Sequence, residues 1–379
     1  MGFFDLFKKK TNSHSSKVEP IPQIEVTTVL KEGNQLSEDG IPTLESLIST
    51  AYPSEHGLYP HEILMLEYAS TYKTNGINNF QSFWKWDYSV FSPQKLLNSL
   101  FQRGFLCLAD ISVSLQNMKV PELKQMLANK NAKVSGKKDE LIARILSTYT
   151  ENELSSVIAD RYYALTDLGK YETAHNEYVL YLNRHRYFTP WQMNEILHGD
   201  NPQHLSYRDI IWREFNKSSE EYIKSRSFGL YRNTRFSMCE FLMDENRYKS
   251  ALLLLCEVAS YDLSGHSNGG VEDSDSEFMR KVAYDSKMTN LYTEDEKEIS
   301  LYPGIAKTFQ TLYAKLNMSA DEFTRLVYDY CNEFQIHERI FTANECANVI
   351  LSTLSLEDRK IEHSVRIASQ RVKNLVYKS

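Results

Sequence analysis

Residues 118–146 read Met118-Lys-Val-Pro-Glu-Leu-Lys-Gln-Met-Leu-Ala-Asn-Lys-Asn-Ala-Lys-Val-Ser-Gly-Lys-Lys-Asp-Glu-Leu-Ile-Ala-Arg-Ile-Leu146. Leu123, Met126 and Leu127 repeat at helical spacing, and so do Leu141, Ile142 and Ile145. Each set offers one apolar stripe for the other to cover, so the stretch is predicted to form two short helices joined by a basic turn. Pro121 suits the first turn of the opening helix, and Asn131 can take the left-handed conformation that ends it. Ser135 is the expected cap of the second helix, with exposed amides following at Gly136, Lys137 and Lys138. From Met118 to Thr148 there are seven basic residues (Lys119, Lys124, Lys130, Lys133, Lys137, Lys138 and Arg144) against the acids Glu122, Asp139 and Glu140. That local excess sits in a chain of net charge −7, so positive charge is concentrated here rather than spread. Lysines at a helix start oppose the macrodipole, and an anion bound there would reverse the sign of that penalty.

Val120, Glu122-Leu123-Lys124, Leu127, Ser135-Gly136-Lys137-Lys138, Glu140-Leu141-Ile142 and Arg144 together resemble the SAP family of DNA-binding helix hairpins. The resemblance implies a helix hairpin at about 112–148 that holds the backbone of duplex DNA. Phosphate would meet Ser135, Gly136, Lys137 and Lys138, supported by Lys119, Lys124, Lys130, Lys133 and Arg144. Three positions depart from the pattern. Lys119 replaces a Ser or Thr cap, Asn131 replaces Gly, and Ala132 replaces a larger Leu, so the hairpin is expected to pack loosely by itself.

Working outward, Ser92-Pro93 opens a helix to Arg103, and Gly104 to Leu108 reads as a strand. After the hairpin and a further helix from Glu151 to Arg161, Tyr162 to Leu165 reads as a second strand running through Thr166 into a helix that includes Gly169. Helix, helix, strand, strand and Leu-Thr-x-x-Gly resembles a winged helix, with the SAP-like hairpin inserted between the wing strands. Its recognition-type helix offers only Gln94, Lys95, Asn98, Gln102 and Arg103 as polar reach. Asn183 to Arg186 makes a second, smaller basic cluster, expected to be a solvated face. Trp84 and Trp86 stack bases if exposed, and belong to the core otherwise.

The expected architecture is mainly α and multi-domain: a winged-helix-like unit carrying an inserted SAP-like hairpin, followed by further helices. The expected divisions are a flexible tail at 1–45, the winged-helix-like domain at 55–176, and a helical domain at 177–263. In that last domain Phe236–Asp244 and Tyr248–Asp262 resemble a tetratricopeptide-type pair. An acidic loop or linker at 264–300 and a helical region at 301–379 follow. In the final region Ser319-x-x-Glu322 is a capping box, and Ile361, Val365, Ala368, Val372 and Leu375 share one stripe.

Five cysteines, an odd number and never spaced Cys-x-x-Cys, argue against a disulfide framework or a structural zinc site and for a reducing cytoplasm. No apolar run approaches membrane-spanning length. Phe3, Phe4, Leu6 and Phe7 before three lysines give a tip for marginal membrane or partner contact. Abundant Lys, Asn and Tyr hint at an A+T-rich bacterial or phage genome. No phosphate-cradling Gly loop, His-Glu-x-x-His or Gly-x-Ser-x-Gly occurs; His337-Glu338 lacks a second His, and Asp273 and Asp275 sit in a polar stretch. The expected protein is therefore non-enzymatic, without cofactor or metal, and binds duplex DNA with low sequence specificity. The alternative is a protein-interaction adaptor using its helical C-terminal half, and the third reading is a metal-dependent nucleic-acid enzyme.

Overall fold

In the computed structural model, residues 40–75, 77–199, 201–263, 301–334, 336, 341–356 and 359–377 are described, with side chains to residue 370. The Phe3–Phe7 cluster, the 264–300 stretch, His337-Glu338, and Asp273 and Asp275 lie outside them. The chain is mainly helical. Its described elements are α1 (Leu44–Thr50), α2 (Pro60–Ala69), α3 (Phe83–Trp86), α4 (Pro93–Gln102), β1 (Leu106–Leu108), α5 (Ile111–Asn117), α6 (Val120–Asn129), α7 (Lys138–Thr148), α8 (Glu151–Val157) and β2 (Tyr163–Leu165). There follow α9 (Asp167–His175), α10 (Tyr178–His185), α11 (Pro190–His198), α12 (Tyr207–Lys224), α13 (Phe228–Asp244), α14 (Tyr248–Leu263), α15 (Pro303–Leu316), α16 (Ala320–Glu333), α17 (Ala343–Thr353) and α18 (Arg359–Tyr377). They fall into two compact units, one within Pro22–Asp209 and one within Ile210–Ser379.

The first unit is built around α2, which is buried on most of its surface and packs against α4, β2, α9, α10 and α11. Residues 177–209, expected with the helices that follow, pack instead with those that precede. The Asn194 side chain explains why: it donates to Tyr178 Oη and to the Tyr52 carbonyl, each at 3.0 Å, and accepts from the Tyr52 amide at 2.7 Å. Strands β1 and β2 pair antiparallel, Leu106 opposite Leu165 and Leu108 opposite Tyr163, with α5 to α8 between them in sequence. At the exit of β2, Thr166 Oγ1 donates to the Gly104 carbonyl at 2.7 Å and caps α9 by accepting the Gly169 amide at 3.2 Å. Gly169 must lack a side chain, because a Cβ there would lie 2.3 Å from the Phe105 carbonyl oxygen. The Leu-Thr-x-x-Gly pattern thus clamps a helix onto a strand. At the start of α4, Pro93 occupies the first turn as expected, but the Ser92 hydroxyl makes no capping bond.

In the second unit α13 and α14 form the expected antiparallel pair, turned through Asn246 at φ 57°. The first helix begins at Phe228 rather than near Phe236. From Ala251 to Leu263 every residue of α14 is buried, enclosed by α13, α15, α16 and α17. A helix apolar on all faces needs such enclosure. Its two acids are matched inside: Glu257 accepts from Arg235 Nε at 2.6 Å, and Asp262 takes a bidentate bond from Arg232 at 2.8 and 2.6 Å. The Ser319 box is formed, with Glu322 Oε2 taking the Ser319 amide at 3.0 Å, and Ile361, Val365 and Ala368 of α18 are buried. No cysteine among the described residues is in a disulfide.

Candidate nucleic-acid interface

The basic stretch does not fold as two isolated helices. Leu123, Met126, Leu127, Leu141, Ile142 and Ile145 share one core with Ile111 and Leu115 of α5, Leu154 of α8, and Ile158. Met118, Ala132 and Tyr149 pack against it. The hairpin is expected at about 112–148 and loosely packed; its core is completed by α5, within those bounds but not read as a helix, and by α8, which lies beyond them.

The side-chain contacts fix how α6 and α7 run. At one end, Lys138 Nζ donates to the Gln116 carbonyl at 2.6 Å and Gln116 Nε2 donates to Asp139 at 3.3 Å, which puts the start of α7 beside the residues leading into α6. At the other end Tyr149 Oη donates to the Met126 carbonyl at 2.7 Å, and Lys130 Nζ lies 4.8 Å from the centre of the Tyr149 ring. Both helices therefore start at the same end. The connection, residues 130–137, is an extended return along α7, and eight residues at about 3.3 Å each readily retrace a ten-residue helix. Arg144 holds the return in place by donating to the Lys133 and Ser135 carbonyls at 2.5 and 3.2 Å.

The helix starts are capped alike, and not as expected. Ser135 is not a cap: α7 begins at Lys138 with Lys137 in the cap position. A lysine side chain has no lone pair to offer, so Glu140 folds back and accepts the Lys137 amide at 3.2 Å. Asn131 is left-handed, φ 54°, as expected, and Gly136 has φ 137°. A Cβ on Gly136 would lie 2.5 Å from Glu140 Oε2, so Gly136 makes room for that carboxylate. In α6 Glu122 does the same for the Lys119 amide at 2.6 Å, which replaces the missing Ser or Thr cap. Two helix N-termini, each headed by an exposed lysine and each carrying partial positive charge, thus face one end of the domain.

The nine residues expected at the interface divide by what they touch. Lys119, Lys124, Lys133 and Lys137 are exposed, and no acid among the described residues pairs with them. Ser135 and Gly136 are exposed on the return. Lys138 and Arg144 are half-buried and spend donors on backbone carbonyls. Lys130 sits at the far end in an ion pair with Glu153 at 2.6 Å, and that bond holds the Glu153 carboxyl down at about 2. Spacing alone could not separate these groups, because only the folded return shows which cations are already engaged.

Of the polar residues on and just after α4, Gln94, Asn98 and Arg103 bond within the unit, while Lys95 and Gln102 are exposed. Gln94 accepts from Asn78 at 2.8 Å and donates to Asn98 at 3.2 Å, and Arg103 pairs with Glu62. Asn183 accepts from Tyr88 Oη at 3.0 Å, and Arg186 pairs with Asp87 at 3.1 Å. Trp84 is core and Trp86 is exposed. Among the described residues no cluster of three His, Cys, Asp or Glu is placed to hold a metal ion, and no helix is long and apolar enough to cross a membrane.

No curated protein and no solved structure matches the chain. Residues 114–150, which span the end of α5, both basic-stretch helices and the return between them, match the family model of the SAP domain. Residues 114–150 of this chain therefore form a SAP domain, a helical unit of a family associated with nucleic-acid binding, with two lysine-headed helix N-termini at one end of that domain.

Proposed function

We infer that the chain binds duplex DNA through phosphate contacts of its SAP domain, with low sequence specificity and without catalysis of its own, in the cytoplasm. The observation that carries this reading is the shared positive end of α6 and α7: Lys119 and Lys137 stand at the two cap positions, Lys124 follows on the second turn of α6 and Lys133 lies on the return beside Arg144, and no acid among the described residues forms an ion pair with any of them. Phosphate oxygens suit exposed lysines and free helix amides, and such contacts carry no base information. The body that carries the domain is read as winged-helix-like, supported by the order α2, α4, β1, β2 and the Thr166 clamp. With Gln94, Asn98 and Arg103 bonded within the unit, only Lys95 and Gln102 of α4 are left as polar reach, and the helix is read as scaffold and not as a reading head.

The test is fluorescence-anisotropy binding to an A+T-rich and a mixed-sequence duplex over a salt series. Four phosphate contacts give a log–log slope of about −3 to −4, alike for both sequences. Lys119→Ala/Lys133→Ala/Lys137→Ala reduces that slope by about three while the fold is kept, because none of the three side chains is held by a partner among the described residues. Absence of duplex binding at low salt, or an unchanged slope in the triple variant, rejects the reading. Lys138 and Arg144 are left intact because they hold the return in place.

A further inference from the structure

We propose that Cys256 and Cys331 form a redox latch in the second unit, two free thiols in contact that close to a disulfide when the chain meets a peroxide. The five cysteines follow no pairing pattern in the sequence, yet the fold gathers four of them. Cys239 comes from α13, Cys256 from α14, Cys331 from α16 and Cys346 from α17, and each is 0% exposed. Helices α13, α16 and α17 all pack on α14. The Cys256 thiol donates a hydrogen bond to the Cys331 sulfur, and Cys239 and Cys346 lie close enough to act on it electrostatically. Buried cysteines often serve only as small apolar fillers. This pair differs in that two thiols from helices far apart in sequence touch sulfur to sulfur. Among the described residues no three Cys, His, Asp or Glu are placed to hold a metal ion, so the chemistry open to the pair is oxidation.

Burial selects the oxidant. A bulky disulfide cannot reach thiols enclosed by four helices, whereas hydrogen peroxide is small and uncharged. The Cys331 sulfur attacks one peroxide oxygen, the O–O bond breaks, and the products are a sulfenic acid on Cys331 and one water. The Cys256 sulfur then displaces that hydroxyl: an S–S bond forms, the S–O bond breaks, and the Cys256 thiol proton leaves with the hydroxyl as a second water. Both sulfurs are oxidised and both peroxide oxygens are reduced. Burial holds the Cys256 thiol well above its ordinary pKa, so it keeps the proton it must give up in that last step. The same burial makes the pair slow, which suits an answer to sustained peroxide and leaves the thiols reduced at rest. Once formed, the bond fastens α14 to α16 and closes the long stretch 257–330 into a loop, which stabilises the folded unit mainly by restricting the unfolded chain. The latch goes beyond the DNA-binding reading and stands without it.

The experiment treats the full chain with hydrogen peroxide, blocks the remaining thiols, and maps the peptides by mass spectrometry without reduction. Cys107, half-buried in the first unit, is the internal control, and peroxide is raised until it is oxidised. The expected product is a peptide pair joined through Cys256 and Cys331. The melting temperature of the second unit should rise with it by about 5 °C or more, and dithiothreitol should reverse both changes. Cys256→Ala should abolish the linkage and the rise, and Cys239→Ala should keep them. Because a core substitution can itself unsettle the unit, the peptide map of the native chain decides. Oxidised Cys107 beside unlinked Cys256 and Cys331 overturns the proposal. So does a linkage of Cys256 to Cys239 or Cys346 instead, a linkage that forms only in urea, or a linked chain that melts no higher than the reduced one.

Discussion

The SAP domain and the α13–α14 pair each depend on charged side chains, and they treat them oppositely. In the SAP domain the side chains of Lys119, Lys124, Lys133 and Lys137 stand in water, and no acid among the described residues forms an ion pair with them. In the second unit Arg235 and Glu257 are each nearly fully buried and bonded to each other, while Tyr231 Oη adds a bond to Glu257 at 2.6 Å. A buried ion must be matched or it costs several kcal/mol, whereas an exposed one can be left unmatched at little cost and kept for a ligand. The contrast separates cations that hold the fold from cations that can serve binding.

The largest expected effect tests the buried side. Arg235→Leu leaves Glu257 unpaired inside the helix pair and should destabilise the second unit by about 3–5 kcal/mol, read by urea unfolding, while Arg235→Leu/Glu257→Leu recovers most of the loss. No recovery would mean the pair does more than neutralise itself.

Next is acidification of the first unit. His61 is buried, stacks on Trp191 with centroids 5.5 Å apart, and has its pKa lowered by burial and by nearby Arg103 from 6.5 to about 3. Its neutral form is the folded one, so the unfolded chain binds the extra proton between those two values. The stabilisation is present above pH 6.5 and is lost progressively as pH falls toward 3, at up to about 1.4 kcal/mol per pH unit. The melting temperature of His61→Phe should therefore vary less with pH over that interval than that of the native chain.

Smaller effects sharpen the exposed side. Gly136→Ala places a Cβ against Glu140 at a backbone angle that favours glycine, and should cost about 1–3 kcal/mol of SAP-domain stability by thermal melting. Glu140→Ala removes the bond to the Lys137 amide and should cost about 1 kcal/mol of stability. It also clears a negative charge from the positive end, so duplex affinity should rise as stability falls. A variant weaker in both would show that the carboxylate organises the site more than it opposes the ligand. The smallest change is Lys133→Ala, within about 0.5 kcal/mol in stability and visible only in the salt slope.

Much of this was legible in the sequence because it rests on local rules. Pro121, Asn131, the two apolar stripes, the Ser319 box and the strand–helix junction at Leu165 to Gly169 all declare themselves within a few residues. What escaped depends on distant partners. Ser135 has the residue type of a cap, but the capping group is Glu140, folded over Gly136 onto the Lys137 amide. Helix α5 lacked a strong apolar stripe and revealed its role only through Ile111 and Leu115 in the shared core. Arg144 and Lys138 resemble phosphate ligands in any linear pattern, and only their bonds to carbonyls show them holding the return and the α5 end. The grouping of residues 177–209 with the first unit followed from Asn194, whose three hydrogen bonds no periodicity announces.

The β1–β2 ribbon has a kinetic consequence. Its two short strands are joined not by a tight turn but by the whole SAP domain, and the junction is fastened where the Ala109 amide donates to the Tyr162 carbonyl at 2.8 Å and Arg161 donates to the Ala109 carbonyl at 2.7 Å. Closing so long an unstructured loop costs about 3 kcal/mol more than closing a two-residue turn, at about 0.6 kcal/mol per doubling of length. Folding of the insert brings its own ends together and removes most of that cost. The ribbon is therefore expected to zip after the SAP domain has formed, and Gly136→Ala, far from either strand, should slow strand pairing in stopped-flow refolding.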